Sequence, residues 1–237
     1  MPVYLHNGAM GDIIYALPVL RAQPGILALT KKQQKNFLDS LLILQPYIQE
    51  VTLEKPWKDS SGGANQVNKQ TSPIQDYYID LRKYREITET DYTKHLTLCH
   101  AEVAGIEIDS RTAWLEGIEP NPVAKIVVHR SPRYHGELDW EALRPFLADT
   151  VFVGKPEEYS EFPLPVAHHR TRNSLELAQV IAGSRFFVGN QSCPFAIAEA
   201  LKHPRFLEVS TEKPNCTPQG CAGWTELTKE RMELCLK

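Results

Sequence analysis

Short apolar segments alternate with amphipathic ones along the first half of this chain, give way to a proline- and glycine-rich stretch at residues 116–123, and then resume. In the first half, residues 3–5, 26–30 and 51–53 have the length and composition of buried strands. Helical spacing fills the gaps, with Ile13, Ile14, Leu17 and Leu20 after the first strand and Phe37, Leu38, Leu41, Leu42 and Leu44 inward within 33–44. Such alternation predicts a parallel sheet. The second half repeats it, with strands at 125–129, 150–154, 166–168, 186–188 and 206–209 and helices at 139–147, 174–182 and 194–201. Between the halves Gly117, Pro120, Asn121 and Pro122 cluster as a linker does. A chain of 237 residues with 42% hydrophobic content is long enough for one large domain or two compact ones and can bury a core. The expectation is two α/β domains, 1–116 and 124–237, the second closed by a helix over 224–236.

A net charge of only -3 argues against a dedicated nucleic-acid binder and for small-molecule or saccharide chemistry. The apolar runs fall short of the roughly 20 residues that cross a bilayer, and the N-terminus enters a strand without a signal-like segment. A soluble, cytoplasmic protein is expected. Cys99, Cys193, Cys216, Cys221 and Cys235 form no paired framework and suit reduced thiols; Cys216 and Cys221 lack a second pair at zinc-finger spacing. The polar stretch 57–75 reads as a long surface loop, either disordered or helping to hold an acceptor. A strand at 77–81 leads into Arg82, Lys83, Tyr84 and Arg85, a solvated face or a contact for an anionic acceptor. An amphipathic helix follows over 91–104, with Leu96, Leu98, Cys99, Val103 and Ala104 inward and His95 capping or packing.

The opening unit carries the first chemical signal. Asn7-Gly8-Ala9-Met10-Gly11-Asp12 joins the first strand to its helix, and Gly8 and Gly11 let a ligand approach the backbone where helix N–H groups favour an anion or a polarised hydroxyl. Asp12 falls at the expected N-cap. There it either caps the helix or faces a cleft and takes a proton from a substrate hydroxyl. Pro18 is expected to kink or restart the helix, with a break at Leu17. The turn has no Gly-x-Gly-x-x-Gly and no Lys-Ser/Thr after its glycines, which disfavours ordinary nicotinamide enzymes and kinases.

The layout suits two Rossmann-like β/α/β domains facing a cleft, and open α/β sheets bind ligands beyond the carboxyl ends of their strands. Three groups collect at that edge of the second half. Arg130 and Arg133, after the strand at 125–129, are diphosphate candidates because a guanidinium pairs with phosphate oxygens through two parallel hydrogen bonds. Glu157 or Glu158, after the glycine turn at Gly154, can accept from both ribose hydroxyls, and Glu157 fits that position better. Asn190, Gln191 and Ser192 surround a helix N-terminus suited to sugar hydroxyls and phosphate together, with Glu199 a weaker candidate further along.

Two of these stretches resemble the signatures of the heptosyltransferase-like family 9 glycosyltransferases. Gly8-Ala9-Met10-Gly11-Asp12 and the apolar helix with Pro18 match the N-terminal signature. Near the other end, Leu175, Leu177, Ala178, Ile181, Ala182, Phe187, Val188, Gly189, Asn190, Ser192, Pro194, Ala198 and Ala200 fall into the family pattern of a leucine-alanine helix, a strand, Val-Gly-x-Asp-Ser-Gly-Pro and an alanine-rich helix. Gln191 stands where the family usually has aspartate, Cys193 replaces glycine and Ala196 replaces histidine. The resemblance spans nearly the whole chain, although family members are usually longer. It implies a GT-B-like fold and an inverting, metal-independent enzyme without a cofactor, taking a nucleotide diphosphate sugar as co-substrate and a saccharide or other hydroxyl as acceptor. Asp12 would be the base, and Gly11, Arg130, Arg133, Glu157, Asn190, Gln191 and Ser192 would bind the donor. A metal would ordinarily be held by an Asp-x-Asp pair, and the chain has none; Glu89/Asp91 and Glu107/Asp109 are Glu-x-Asp pairs away from the expected donor edge. Two alternatives stay open. One is a nucleotide-sugar or nucleotide binder that has lost transfer, as the missing acid at Gln191 would suit. The other is a nucleic-acid-modifying transferase guided by Arg82 to Arg85 and Lys31, Lys55 and Lys58.

Overall fold

A computed structural model describes residues 1–54 and 78–237. The polar stretch 57–75, with Lys55 and Lys58, lies outside the described residues. The first half forms a four-stranded parallel sheet of β1 (Val3–His6), β2 (Gly25–Leu29), β3 (Ile48–Leu53) and β4 (Tyr78–Asp80), in the order β3-β2-β1-β4. Its helices are α1 (Met10–Ala22), α2 (Lys32–Leu42), α3 (Tyr84–Thr90) and α4 (Leu96–Ala104). The second half forms a six-stranded parallel sheet of β5 (Ile126–His129), β6 (Thr150–Val153), β7 (Ala167–His169), β8 (Phe186–Asn190), β9 (Arg205–Glu208) and β10 (Gly223–Trp224), in the order β10-β9-β8-β5-β6-β7. Around it lie α5 (Pro156–Ser160), α6 (Ser174–Ala182), α7 (Cys193–Leu201) and α8 (Lys229–Leu236). Strands β5, β8 and β9 are buried along their whole length, as strands covered on both faces are. The protein is α/β with two Rossmann-like parallel sheets.

Both sheets reverse direction beside their first strand. The chain steps outward from β1 to β2 and β3 and returns to place β4 on the other side; likewise β5 is flanked by β6 and β8. Ligands bind open α/β sheets at such reversals, outside the carboxyl ends. These points fall at His6 and Asp80 in one sheet and at His129 and Asn190 in the other.

Helix α1 departs most from expectation. Every residue from Ile13 to Leu20 is buried, so the helix is covered on all sides rather than on one face. It lies between α4 of its own half and α7 of the other, and one hydrophobic core joins Ile13, Leu17 and Leu38 to Leu177, Phe195 and Ile197. A second core, with Ile126, Phe152, Phe186, Phe206 and Met232, covers the far face of the larger sheet. Pro18 does not break α1, which runs through it without interruption. Its missing N–H leaves the Ile14 carbonyl without a helical partner, and the Trp114 indole donates to that oxygen at 3.0 Å.

Other differences are local. The helix expected over 91–104 begins at Leu96, capped by His95, whose Nδ1 accepts from the Thr97 N–H. The run expected as a connection, Arg82 to Arg85, instead holds a 3-10 turn and the start of α3. Residues 140–149 form a 3-10 helix containing Pro145 rather than an α-helix. The closing helix starts at Lys229, because Gly223 and Trp224 add an edge strand instead. Leu44 and Leu98, expected inward, are 44% and 39% exposed.

Candidate active site

A cavity of about 940 Å³ opens where the two reversal points meet, lined by residues of both halves. On the first-half side, β1 ends at His6 and turns through Gly8 into α1. A side chain at Gly8 would have its Cβ 2.6 Å from His6 Cε1 and 2.8 Å from Asp12, so only glycine fits. The Gly8 N–H donates to His6 Nδ1 at 3.0 Å, and the buried Gln34 amide donates to the Gly8 carbonyl. Asp12 is not the N-cap expected from the sequence. Ala9 takes that place, and Asp12 sits three residues on, where Oδ2 accepts the Ala9 N–H at 2.8 Å. The same oxygen accepts the Tyr84 hydroxyl at 2.7 Å and lies 3.7 Å from Arg85 Nη2. Gly11 also lines the cavity, where α1 passes closest to the start of α7; a Cβ there would meet Cys193 and Ser192 backbone at 3.5 Å.

Behind Asp12 stands a buried aromatic stack. Tyr84 lies on His100 with ring centroids 4.4 Å apart, and His6 Nε2 meets His100 Nε2 at 3.0 Å. The hydrogen positions follow from the partners. A carbonyl only accepts, so His100 Nδ1 carries the proton it gives to Leu96 O at 2.7 Å, and its Nε2 is bare. His6 Nδ1 accepts from Gly8, so His6 carries its proton on Nε2 and donates it to His100. Both rings are neutral. Burial, and for His6 also the neighbouring His100, holds His6 well below the ordinary histidine range, and burial brings His100 down to about 4.

The second-half wall rearranges the expected donor residues. Arg133 lines the cavity, whereas Arg130 does not: both ends of its guanidinium grip Glu208 at 2.8 and 2.7 Å. Of the two glutamates, Glu158 lines the cavity and accepts the Lys155 N–H at 2.8 Å, while Glu157 stands outside the lining on the exposed side of α5. Asn190 is fully buried and clamps the loop after β5, accepting from Ser131 N–H and donating to the carbonyls of Ser131 and Arg133. It therefore sets where Arg133 is presented. Gln191 reaches the lining, but its amide donates to Lys213 O and Asn215 Oδ1 and accepts from Ser210 N–H. Ser192 is the N-cap of α7 and lines the cavity, with its hydroxyl turned back to Asn190 O. Glu199 does not line the cavity and is buried with Arg205 and Lys202.

Charge around the cavity is lopsided for a chain of net charge -3. Among the described residues Lys32, Arg85, Arg133, Lys155, Arg172 and Lys213 line it against Asp12 and Glu158. Cys193 and Cys216 also face it, but burial, reinforced by the nearby acidic charge, pushes each thiol up to about 12. Neither can serve as a thiolate nucleophile at neutral pH. His129, at the end of β5, donates from Nδ1 to Val153 O at 2.7 Å and is held neutral by burial, leaving Nε2 as its acceptor. Among the described residues no group of three or more His, Cys, Asp or Glu side chains could hold a metal ion, and no helix is long and apolar enough to cross a membrane.

Sequence reading gave no role of their own to His6, His100 or His129, and took Tyr84 only as part of the run Arg82 to Arg85. His6 and His129 each end the central strand of a sheet, which is a usable signal. Tyr84 and His100 come from separate helices and meet only in the folded chain.

No family model and no curated protein matches the chain. Solved structures do. A glycosyl transferase of family 9 from Veillonella parvula DSM 2008 superposes with a TM-score of 0.60 at 12% identity, covering 98% of this chain and 87% of that one. The E. coli heptosyltransferase WaaC, solved with ADP, gives 0.58 at 14% identity over 96% and 94%. The E. coli ADP-heptose lps heptosyltransferase II gives 0.54 at 12% identity over 100% and 98%. Together with the two-sheet architecture, these likenesses identify the fold as that of the heptosyltransferase-like family 9 glycosyltransferases.

Proposed function

We propose that this chain transfers a sugar from a nucleoside diphosphate sugar to an acceptor hydroxyl, with inversion and without a resident metal, in the cytoplasm. In this reading residues 1–116 present the acceptor and residues 124–237 hold the donor, across a GT-B-like cleft. One observation carries it: Asp12 from the first half and Arg133 from the second line the same cavity. In-line attack at the anomeric carbon needs a base on one side and charge stabilisation of the departing diphosphate on the other. Asp12 takes the acceptor proton, the hydroxyl oxygen bonds to the anomeric carbon, and the bond to the diphosphate oxygen breaks. Arg133, Lys155 and Lys213, with the free amides at the start of α7, receive the leaving diphosphate. Glu158 replaces Glu157 as the partner of the ribose hydroxyls, and Arg130 supports its loop through Glu208 instead of touching phosphate.

The committed amide of Gln191 favours one alternative, a nucleotide-sugar binder without transfer, because no carboxylate stands there for the donor sugar. Nucleotide release separates the two. ADP-sugars are tried first, given the likeness to a heptosyltransferase solved with ADP, followed by UDP- and GDP-sugars. Asp12→Asn is expected to keep donor affinity in a thermal-shift titration and to lose about 10²- to 10⁴-fold in turnover. Donor binding without any release in the unaltered protein would select the binder.

A further inference from the structure

We infer that Tyr84 is the positioning residue for Asp12: its phenol, with the Ala9 amide, anchors Oδ2 so that Oδ1 is the atom left to take the acceptor proton. The inference rests on the transferase reading above and assigns within it which oxygen works and what aims it. All three donors near the carboxylate converge on one oxygen, Tyr84 Oη at 2.7 Å, Ala9 N at 2.8 Å and Arg85 Nη2 at 3.7 Å. Oδ1 receives no hydrogen bond from the described residues, on a side chain that lines the cavity and is 21% exposed. A carboxylate held by one oxygen presents the other in a fixed direction, which is what proton transfer from a bound hydroxyl requires.

Tyr84 is itself held. Its ring lies on His100, His100 accepts from His6, and His6 accepts from the Gly8 amide, so the glycine turn and the phenol are joined through one buried stack. Burial and the Asp12 charge keep the phenol protonated far above the ordinary tyrosine range, so it remains a donor wherever the carboxylate is ionised. The titratable groups that face the pair are His6 on β1, Arg85 on α3, His100 on α4, Cys193 on α7, and Cys216 and Tyr134 from loops. Both histidines and both thiols stay neutral between pH 5 and 8, so their titration does not mimic loss of the Tyr84 hydroxyl.

Tyr84→Phe removes one oxygen and leaves the stacked ring. Relative to the unaltered protein it is expected to lower kcat about 10- to 100-fold with the donor KM changed less than about twofold. An unchanged kcat, or a fall in kcat matched by a rise in the donor KM, would overturn the inference. A second measurement does not depend on turnover: the 13Cζ resonance of Tyr84, assigned through its contacts with the His100 ring, should shift in Asp12→Asn, and a resonance that does not respond would overturn the hydrogen bond itself. The two readings fail separately. Full turnover in Asp12→Asn removes the base and the reaction scheme, whereas an inactive Asp12→Asn beside a Tyr84→Phe that matches the unaltered protein removes only the positioning role.

Discussion

The Trp114 indole N–H donates to the Ile14 carbonyl at 3.0 Å, the oxygen that Pro18, four residues later in α1, leaves without a helical partner. The same residue fastens both halves. Its backbone N–H donates to Ala200 O at 2.8 Å, its carbonyl accepts the Tyr47 hydroxyl, and its ring lies under the Lys202 ammonium at 4.5 Å. Trp114→Phe should lower stability by on the order of 2 kcal/mol in urea unfolding, from a buried acceptor left unpaired and lost packing. Pro18→Ala returns a backbone N–H to that acceptor. In the Trp114→Phe background it should recover part of the loss, and strict additivity of the two changes would contradict the pairing.

Arg130 and Arg133, alike in sequence, should part in their effects. Arg130→Ala leaves Glu208, which is 0% exposed, without its cationic partner, and a stability loss of about 3 kcal/mol is expected. Arg133→Ala should leave the melting temperature nearly unchanged and raise the donor KM. Equal melting temperatures for the two variants would show that the Glu208 pair is not what Arg130 serves.

Acid should loosen the protein earlier than its carboxylates alone require. Burial holds His100 and His203 down at about 4 and His95 at about 3, and it lowers His6 and His129 as well. The unfolded chain protonates these rings near pH 6.5, so between there and about pH 4 it binds more protons than the fold. Stability is therefore present above pH 6.5 and is lost as pH falls; His100 alone accounts for on the order of 3 kcal/mol. A melting temperature that stays flat from pH 7 to pH 4.5 would contradict the buried neutral rings.

Gln191→Glu keeps size and the acceptor for Ser210 N–H but turns a carboxylate toward Lys213 O and Asn215 Oδ1, both of which only accept from it now. A loss of about 1 to 3 kcal/mol is expected in denaturant unfolding, without any gain in turnover. A more active variant would mean that this position still answers to the donor sugar.

The legibility of the sequence followed the range of the interactions. Residues 174–182 read as a helix and are one, because the Asn173 side chain caps the Glu176 N–H within the same segment. The alternation of strands and helices and the glycine turn leading to Asp12 are local too. Tyr84 sat inside a charged run that looked like a solvated connection, yet Arg82 folds back on Asp80 at 2.7 Å and starts the turn that delivers the phenol. The carboxylate of Glu208 claimed Arg130 from 78 residues away, and nothing near Arg130 in sequence announces it. Glu157 and Glu158 differ by one position on a short helix, and only the direction of α5 decides between them.

Because α1 is walled in by α4 on one side and α7 on the other, the seam between the halves is filled with side chains rather than left as a pliable hinge. Prising it apart would bring Ile13, Leu17 and Phe195 into water together. Entry and exit of ligands thus fall to the rim of the cavity, and solution scattering should record the same envelope before and after a nucleotide sugar is added.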